Sequence, residues 1–255
     1  MLIDAHCHLD FADFDDDREA MFARAREAGV GRFVVPGTTR ARWPAVIELA
    51  QRDDVSLNLG LHPYFMVEHG DEDVAALASM LDKHPEIVAV GECGIDARFK
   101  DSLNAQWRLF DAQLKLAKQR HLPVVVHCVQ ANDKVAKRLG QLNLPEGGLI
   151  HAFSGSPEQA RKFLDLGFVV GLGGAATFER AKRLQRAVAS LPDDGYVLET
   201  DSPDMPLAGF QGQRNEPARL AQVCERVAQL RGESIEQIAS NSTSTAQRLF
   251  NIDVE

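Results

Sequence analysis

Two histidines separated by one residue, His6 and His8, end the short apolar run with which the sequence begins. Imidazole nitrogens are the commonest metal ligands in proteins. Because side chains alternate along a β-strand, both rings would point to one side of an extended segment, and Cys7 between them would point to the other. A lone pair of this kind is more often a chance pair of surface histidines, so its chemistry depends on what the rest of the sequence supplies.

Four later apolar runs also end in side chains able to hold a metal, namely Glu92, His127, His151 and Asp201. With the first pair they make a set of four histidines and two carboxylates. Six nitrogen and oxygen ligands exceed what one tetrahedral site uses, and they suit two divalent ions that share a bridging carboxylate. Glu92 is the carboxylate best placed to bridge, and the joint placement of all six residues predicts a binuclear metal site.

The elements that must position these residues alternate along the whole chain, short β-rich runs being followed by longer amphipathic segments. This alternation is typical of βα units around a parallel sheet, and most of the short runs are continuously apolar, as buried parallel strands are. The predicted strands are Leu2–His6, Arg32–Pro36, Val55–Leu61, Ile87–Gly91, Pro123–His127, Gly148–His151, Phe168–Leu172 and Tyr196–Asp201. The predicted helices are Asp16–Ala28, Arg42–Arg52, Asp71–His84, Leu103–Arg120, Asn132–Gln141, Pro157–Leu166, Phe178–Leu191, Glu216–Arg231 and Ser234–Phe250.

Eight βα units fit either an open, doubly wound sheet or a closed barrel. The positions of the candidate metal ligands favour the barrel. These residues stand at the carboxyl ends of five strands, and a closed barrel gathers such ends around one mouth. No G-x-G-x-x-G motif follows the first strand. With 255 residues, 45% of them hydrophobic, the chain is long enough for one large core. The sequence therefore predicts an α/β protein with a single (β/α)8 TIM-barrel domain over residues 1–255.

The chain is acidic, with 28 lysines and arginines against 37 aspartates and glutamates and a formal net charge of −9. Such a surface does not hold nucleic acid by charge alone, so a nucleic-acid enzyme would need local help such as metal ions. Four cysteines without a CxxC pair indicate reduced thiols and a cytoplasmic protein. We expect no membrane span, no cleavable leader and no obligate protein partner.

Five short motifs stand in order along the chain: DAHCH at 4–8, GLHP at 60–63, GECGID at 91–96, HAFSG at 151–155 and LETDSP at 198–203. Together they resemble the TatD-type metal-dependent deoxyribonucleases, a branch of the amidohydrolase-like barrels, over essentially the whole chain. The stretch 204–217 resembles in particular the less characterised YjjV-like members. The resemblance implies one metal on His6, His8, Glu92 and Asp201, and a second on Glu92, His127 and His151.

The resemblance also implies hydrolysis of phosphodiester bonds, with DNA as the substrate and attack from a 3′ end. Two ions would polarise the phosphoryl group and lower the pKa of a bound water towards about 7, which gives hydroxide at neutral pH. Asp201 would hold or deprotonate that water, so Asp201 and Glu92 are the predicted catalytic residues. Imidazole ligands suit zinc, manganese, iron or nickel, and carboxylate and water suit magnesium, which leaves the identity of the two ions open.

Five further residues are candidates for supporting roles. Glu199 lies on the last strand, where it would hydrogen-bond and orient a metal-bound histidine. His62 and Tyr64 follow the third strand, where an imidazole would meet a phosphate and a tyrosine ring would stack on a base; the competing interpretation is a proline turn with an exposed aromatic. Ser154 leads into a helix N-terminus, which favours anions, and Arg214 is a cation near the mouth.

Two other functions stay open from the sequence. The same metals would serve a small-molecule hydrolase acting on a lactone, amide or phosphoester, and this reading is favoured by the acidic charge and by Cys128-Val129 after His127, where many relatives carry Ser-Arg. Amidohydrolase relatives of that kind often bridge their metals with a carboxylated lysine, whereas Glu92 has that role here, which favours the nuclease. A non-catalytic metal-binding barrel ranks last, because all six ligand positions are filled.

Overall fold

The structure, a computed structural model, describes residues 1–253, in which eight parallel strands are hydrogen-bonded side by side in chain order. The backbone N–H of Ala5 donates to the carbonyl of Leu198 at 3.0 Å, so the first and last strands meet and the sheet closes. The predicted (β/α)8 barrel is confirmed. The strands are β1 (Leu2–Asp4), β2 (Val30–Gly37), β3 (Val55–Leu59), β4 (Ile87–Asp96), β5 (Val124–Val129), β6 (Gly148–Ile150), β7 (Phe168–Leu172) and β8 (Tyr196–Leu198).

Nine α-helices occur within the described residues, and each overlaps a predicted helix. They are α1 (Arg18–Glu27), α2 (Trp43–Leu49), α3 (Asp73–Lys83), α4 (Leu103–Arg120), α5 (Asn132–Leu142), α6 (Pro157–Leu164), α7 (Lys182–Ser190), α8 (Leu220–Arg231) and α9 (Ile235–Phe250). Local signals explain several ends. At α6, Ser156 and Gln159 form a reciprocal capping box and proline occupies the first turn, a combination that satisfies the free N–H groups of a helix start.

The core has two parts, because alternate side chains of a strand face in opposite directions. One part packs between the strands and the surrounding helices. The other fills the barrel interior and includes Ile3, Val34 and Val125 together with Phe250 of α9. Since α9 packs against β1 and β8, it closes the amino end of the barrel with apolar side chains. The polar residues are left to the carboxyl end.

The ends of β1 and β8 differ from prediction. β1 stops at Asp4 and β8 at Leu198, so His6 and Asp201 lie just beyond the regular ladders. The segment after β1 is still held between its neighbours, because the Cys7 N–H donates to a carbonyl of β2 at 3.2 Å. The alternation predicted for this segment therefore holds, and Cys7 is buried in the apolar layer outside the barrel.

β4 is longer than predicted, since it continues to Asp96 rather than ending at Gly91. Its pairing with β5 shifts register between Val90 and Cys93. Irregularities of this kind re-aim side chains and are frequent beside active sites. Glu92 lies within the shifted segment, which places this carboxylate at the carboxyl end of the barrel.

Two expectations from composition concern the thiols and the membrane. All four cysteines are free and buried, as expected of reduced thiols in a chain of this length. No helix within residues 1–253 is long and apolar enough to cross a membrane. The cytoplasmic location itself stays a prediction.

Candidate metal centre

The six predicted ligands lie together at the carboxyl end of the barrel, and none of their side chains is more than 15% exposed. Glu92 is at their centre. Its Oε2 lies 3.2 Å from His6 Nε2 and 3.4 Å from His8 Nε2. Its Oε1 lies 3.1 Å from His127 Nδ1 and 2.7 Å from His151 Nε2. One carboxylate therefore faces imidazoles contributed from the ends of three different strands.

The donors fall into two groups with Glu92 between them. On one side, Asp201 Oδ1 lies 3.5 Å from His6 Nε2 and 3.3 Å from His8 Nε2, and these three side chains offer ligand atoms that all lie within 4.8 Å of one another. On the other side, His127 Nδ1 and His151 Nε2 are 3.2 Å apart. The structure thus brings together both ligand sets that the sequence resemblance implied, while the number of ions stays a prediction.

A fifth histidine, His62, joins this cluster, although the sequence suggested it only as a substrate contact. Its Nε2 lies 2.8 Å from Glu92 Oε1, and its Nδ1 accepts a hydrogen bond from the Tyr64 N–H at 3.0 Å. A neutral imidazole whose Nδ1 accepts carries its proton on Nε2, so His62 donates to Glu92. His62, Glu92 and His127 form a further group with metal-binding geometry. The available signal was the same as for the other ligands: a histidine just beyond a strand end.

Opposing effects set the charge of the two carboxylates. Burial alone would raise the pKa of Glu92, but His62, His151 and other imidazoles outweigh it and hold that pKa well below its ordinary value. The pKa of Asp201 is also lowered, because the hydrogen bond from His8 and the neighbouring imidazoles overcome the effect of burial. For His151, burial lowers the pKa of the imidazole, but the neighbouring Glu92 raises it by more, and the pKa is about 10. The centre therefore pairs ionised carboxylates with protonated imidazole.

These charges and two unpaired atoms fit a bound cation. Buried carboxylates are stable as anions only with positive charge and hydrogen bonds beside them. Within residues 1–253, the buried atoms His6 Nε2 and Glu92 Oε2 have no hydrogen-bond partner. A divalent ion would occupy both atoms and displace the imidazole protons, as metal binding to histidine does. The donor set of nitrogen and carboxylate oxygen suits zinc, manganese, iron or nickel.

Asp96, the last residue of β4, holds His127 on the side away from Glu92. Its Oδ2 lies 3.3 Å from His127 Nε2, while His127 Nδ1 faces Glu92. Burial raises the pKa of Asp96, but hydrogen bonds from Arg98 and His127 lower it by more than burial raises it. The pKa therefore lies below its ordinary value and the carboxylate is ionised. A carboxylate on the remote ring nitrogen fixes the orientation and tautomer of a metal-binding histidine. Sequence reasoning missed this role because it ended the strand at Gly91.

We expect Asp96→Asn to weaken metal binding and to lower metal-dependent activity by about 10- to 100-fold, the usual effect of removing such a partner. The amide keeps the shape of the side chain and loses the charge that orients His127. Metal content after dialysis and kcat of the loaded enzyme measure the effect. Asp82→Asn is the matched control, since Asp82 is exposed and, among residues 1–253, pairs only with Arg120. Equal metal affinity in both variants would show that other contacts hold His127.

Glu199 lies beside His151 without the hydrogen bond that the sequence suggested. Its Oε1 is 3.9 Å from His151 Nδ1, too long for that bond, and accepts instead from the backbone N–H of Ala152. Burial raises the pKa of Glu199 to about 8. The carboxyl group fits here because Gly171 of β7 has no side chain: a Cβ at that position would lie 2.2 Å from Glu199 Oε2. The side chain of Glu199 therefore holds the segment after β6 by a hydrogen bond to the backbone of that segment.

We expect Gly171→Ala to destabilise the protein by about 1–3 kcal/mol, as overpacking of a filled interior does, and so to lower Tm by about 2–12 °C. The added methyl group would overlap Glu199, which is fully buried and tied to Ala152. Thermal unfolding followed by circular dichroism measures the shift. Gly70→Ala is the matched control, because nothing lies within 4 Å of a Cβ there. Equal Tm values would mean that Glu199 moves aside without loss.

The other three substrate candidates lie around the mouth. Tyr64 is 57% exposed. Ser154 lines a cavity of about 460 Å³ between the loops that follow β6, β7 and β8. Arg214 is already paired, since its Nη1 lies 2.7 Å from Asp17 Oδ1 and its guanidinium covers the ring of Phe14 at 4.7 Å; it ties the loop after β8 to the loop after β1. Substrate contact by each of these residues stays a prediction.

A closed (β/α)8 barrel with histidines and carboxylates gathered at its carboxyl end defines the class of metal-dependent hydrolase barrels. Within that class the chain belongs to the TatD family, because the family described as TatD related DNase matches residues 3–251. YjjV of Escherichia coli (strain K12), an uncharacterized metal-dependent hydrolase, is 42% identical over 98% of each chain. The crystal structure of YjjV matches with a TM-score of 0.95 over 99% of this chain and 98% of its own.

Two further relatives carry different descriptions. YabD of Bacillus subtilis (strain 168), also an uncharacterized metal-dependent hydrolase, is 35% identical over 99% of this chain and all of its own length. A protein of Pantoea ananatis described as the 3'-5' ssDNA/RNA exonuclease TatD is 34% identical over 98% of this chain and 100% of its own. The family is therefore established for this chain, and the substrate is the open question.

Proposed function

We propose that this protein is a phosphodiesterase that hydrolyses DNA from a 3′ end with the help of two divalent ions. The observation that carries the proposal is the cluster centred on Glu92, in which one buried carboxylate faces two groups of ligand atoms at the end of the barrel opposite α9. The description of the Pantoea relative as an exonuclease supports DNA as the substrate. DNA, or else a small phosphoester, is the only partner that the proposal requires.

The residues divide the chemistry between them. Divalent ions bound here would supply Lewis acidity to a phosphoryl oxygen and make water more acidic. Glu92 would hold both ligand groups in register, since its two oxygens face different imidazoles. Asp201 Oδ1 faces His6 and His8, which leaves Oδ2 to accept the proton of the attacking water. The lowered pKa of Asp201 keeps this group ionised and ready as a base.

A small-molecule hydrolase is the second candidate, and one contact favours it. Cys128 stands where many relatives carry the serine of a Ser-Arg pair, and its Sγ lies 3.1 Å from Asn132 Oδ1. No arginine follows it, since the next residue is Val129. Uncharged groups therefore follow His127 in this chain, which suits a smaller or less charged substrate such as a lactone.

A substrate panel separates the two candidates. Metal-stripped protein, reconstituted with one ion at a time, is incubated with 5′-labelled single-stranded DNA, small phosphodiesters and lactones. The proposal expects progressive shortening of the labelled strand from its 3′ end. Turnover of lactones or small diesters with an intact labelled strand would overturn it and favour the second candidate. A Glu92→Gln preparation, purified in parallel, reports any contaminating nuclease.

A further inference from the structure

The exposed apolar surface of this protein is concentrated around the barrel mouth. Six large hydrophobic side chains within residues 1–253 are exposed, and four of them follow the carboxyl ends of strands: Tyr64, Val67, Phe99 and Met205. Exposed apolar residues that cluster in this way, rather than scatter, mark binding surfaces. The loops around the mouth therefore present apolar surface on which a ligand can pack.

Two of the four, Tyr64 and Phe99, form an aromatic corner. Tyr64 is 57% exposed and Phe99 is 40% exposed. Their ring centroids are 5.4 Å apart at an interplanar angle of 85°. Perpendicular rings present a face of one beside an edge of the other, an arrangement that aromatic pairs favour. A flat, aromatic group is the ligand that such a corner fits.

The corner is joined directly to the metal centre. The Tyr64 N–H donates to His62 Nδ1 at 3.0 Å, and the Phe99 N–H donates to the Asp96 carbonyl at 3.2 Å. His62 contacts Glu92, and Asp96 contacts His127. The corner therefore lies directly beside side chains of the metal centre.

Arg98 adds a cation at the same place. Its guanidinium lies 5.7 Å from the centre of the Phe99 ring and binds Asp96 through Nε and Nη2. Its Nη1 makes no hydrogen bond within residues 1–253, and the side chain is 55% exposed. Arginine binds phosphate oxygens well through such free N–H groups. The aromatic corner thus lies beside an arginine that can donate hydrogen bonds to a phosphate.

We propose that Tyr64, Phe99 and Arg98 form a nucleotide subsite, in which a base next to the scissile phosphodiester stacks on the aromatic corner and a neighbouring phosphate meets Arg98. Aromatic rings beside a cationic group are how single-stranded nucleic acid is held without sequence preference. The inference rests on the proposed DNA hydrolysis. It adds the path of the bound DNA, which would lie across the carboxyl ends of β3 and β4.

The test compares KM of the metal-loaded enzyme on a short single strand with KM on an abasic strand of equal length. Tyr64→Ala and Phe99→Ala are each expected to raise KM for the base-bearing strand by about 5- to 100-fold, the loss typical of one stacked base. They should leave the abasic strand unaffected, because it has no base to stack. Tyr64→Phe should keep the wild-type KM. Ile235→Ala is the control, because Ile235 is an exposed apolar residue at the start of α9, at the other end of the barrel.

Each result has one meaning. Unchanged KM in both alanine variants, or equal changes on both strands, would overturn the subsite while leaving DNA hydrolysis intact. A wild-type enzyme that does not hydrolyse either strand would overturn the proposed function and the subsite with it. Failure of the function is seen in the wild type, and failure of the subsite is seen only in the variants.

Discussion

Glu92→Gln is expected to lower metal-dependent hydrolysis at least about 1,000-fold. The two oxygens of Glu92 face imidazole groups on different sides, and the substitution replaces one of these oxygens with an amide nitrogen that cannot bind a cation. Electrostatic stabilisation by bound metal is worth several kcal/mol, and each 1.36 kcal/mol changes a rate tenfold. A loss of about 4 kcal/mol of this stabilisation lowers the rate about 1,000-fold.

The measurement for this variant is kcat/KM on the preferred substrate of the panel, together with metal content after dialysis. Circular dichroism checks that the barrel still forms. Glu86→Gln is the matched control: Glu86 is exposed just before the start of the same strand and, within the described part of the chain, pairs only with His84. A Glu92→Gln enzyme with full activity would mean that the carboxylate does not hold the metals.

Removal of metal is expected to abolish activity completely and to lower Tm by about 5–11 °C. Ligands that bind only the folded state stabilise it by about 2.7 kcal/mol when their concentration is 100 times Kd, and this free energy corresponds to that shift for a chain of this length. The cluster supports the expectation, because it buries two ionised carboxylates with imidazoles as their partners. The Tm after chelation and dialysis, before and after each ion is restored, measures it.

The control for this experiment is His8→Ala, which lacks one predicted ligand and should gain less stability from added metal than the wild type. Metal affinity should also fall as the pH falls, since protons compete for the same imidazole nitrogens. Full activity of protein without stoichiometric metal would contradict the metal-dependent function.

Much of the centre was predictable because parallel strands end on one side of a sheet. His127 and His151 follow short apolar runs, and in a closed barrel residues at the carboxyl ends of the strands all lie around one mouth. The helices were predictable for a similar reason: α4, for instance, has the predicted bounds Leu103–Arg120, set by a long amphipathic pattern.

The contacts behind the ligands were not predictable, since they depend on pairs of strands rather than on one. Asp96 reaches His127 because β4 shifts register against β5, which no local hydrophobic pattern encodes. Glu199 reaches the backbone of Ala152 because Gly171, on another strand, leaves room for it. Such positions follow from packing in three dimensions, whereas the ligands follow from periodicity along the chain.

The closure of β1 on β8 has a consequence for biosynthesis. The Ala5 N–H bonds to the carbonyl of Leu198, and Phe250 of α9 fills the barrel between these strands. Translation releases β1 before β8 and α9, so the edge of β1 that faces β8 stays unpaired until β8 has emerged. His6 and Asp201 meet only then. The ligand set that includes both His6 and Asp201 is therefore complete only after β8 has been synthesised.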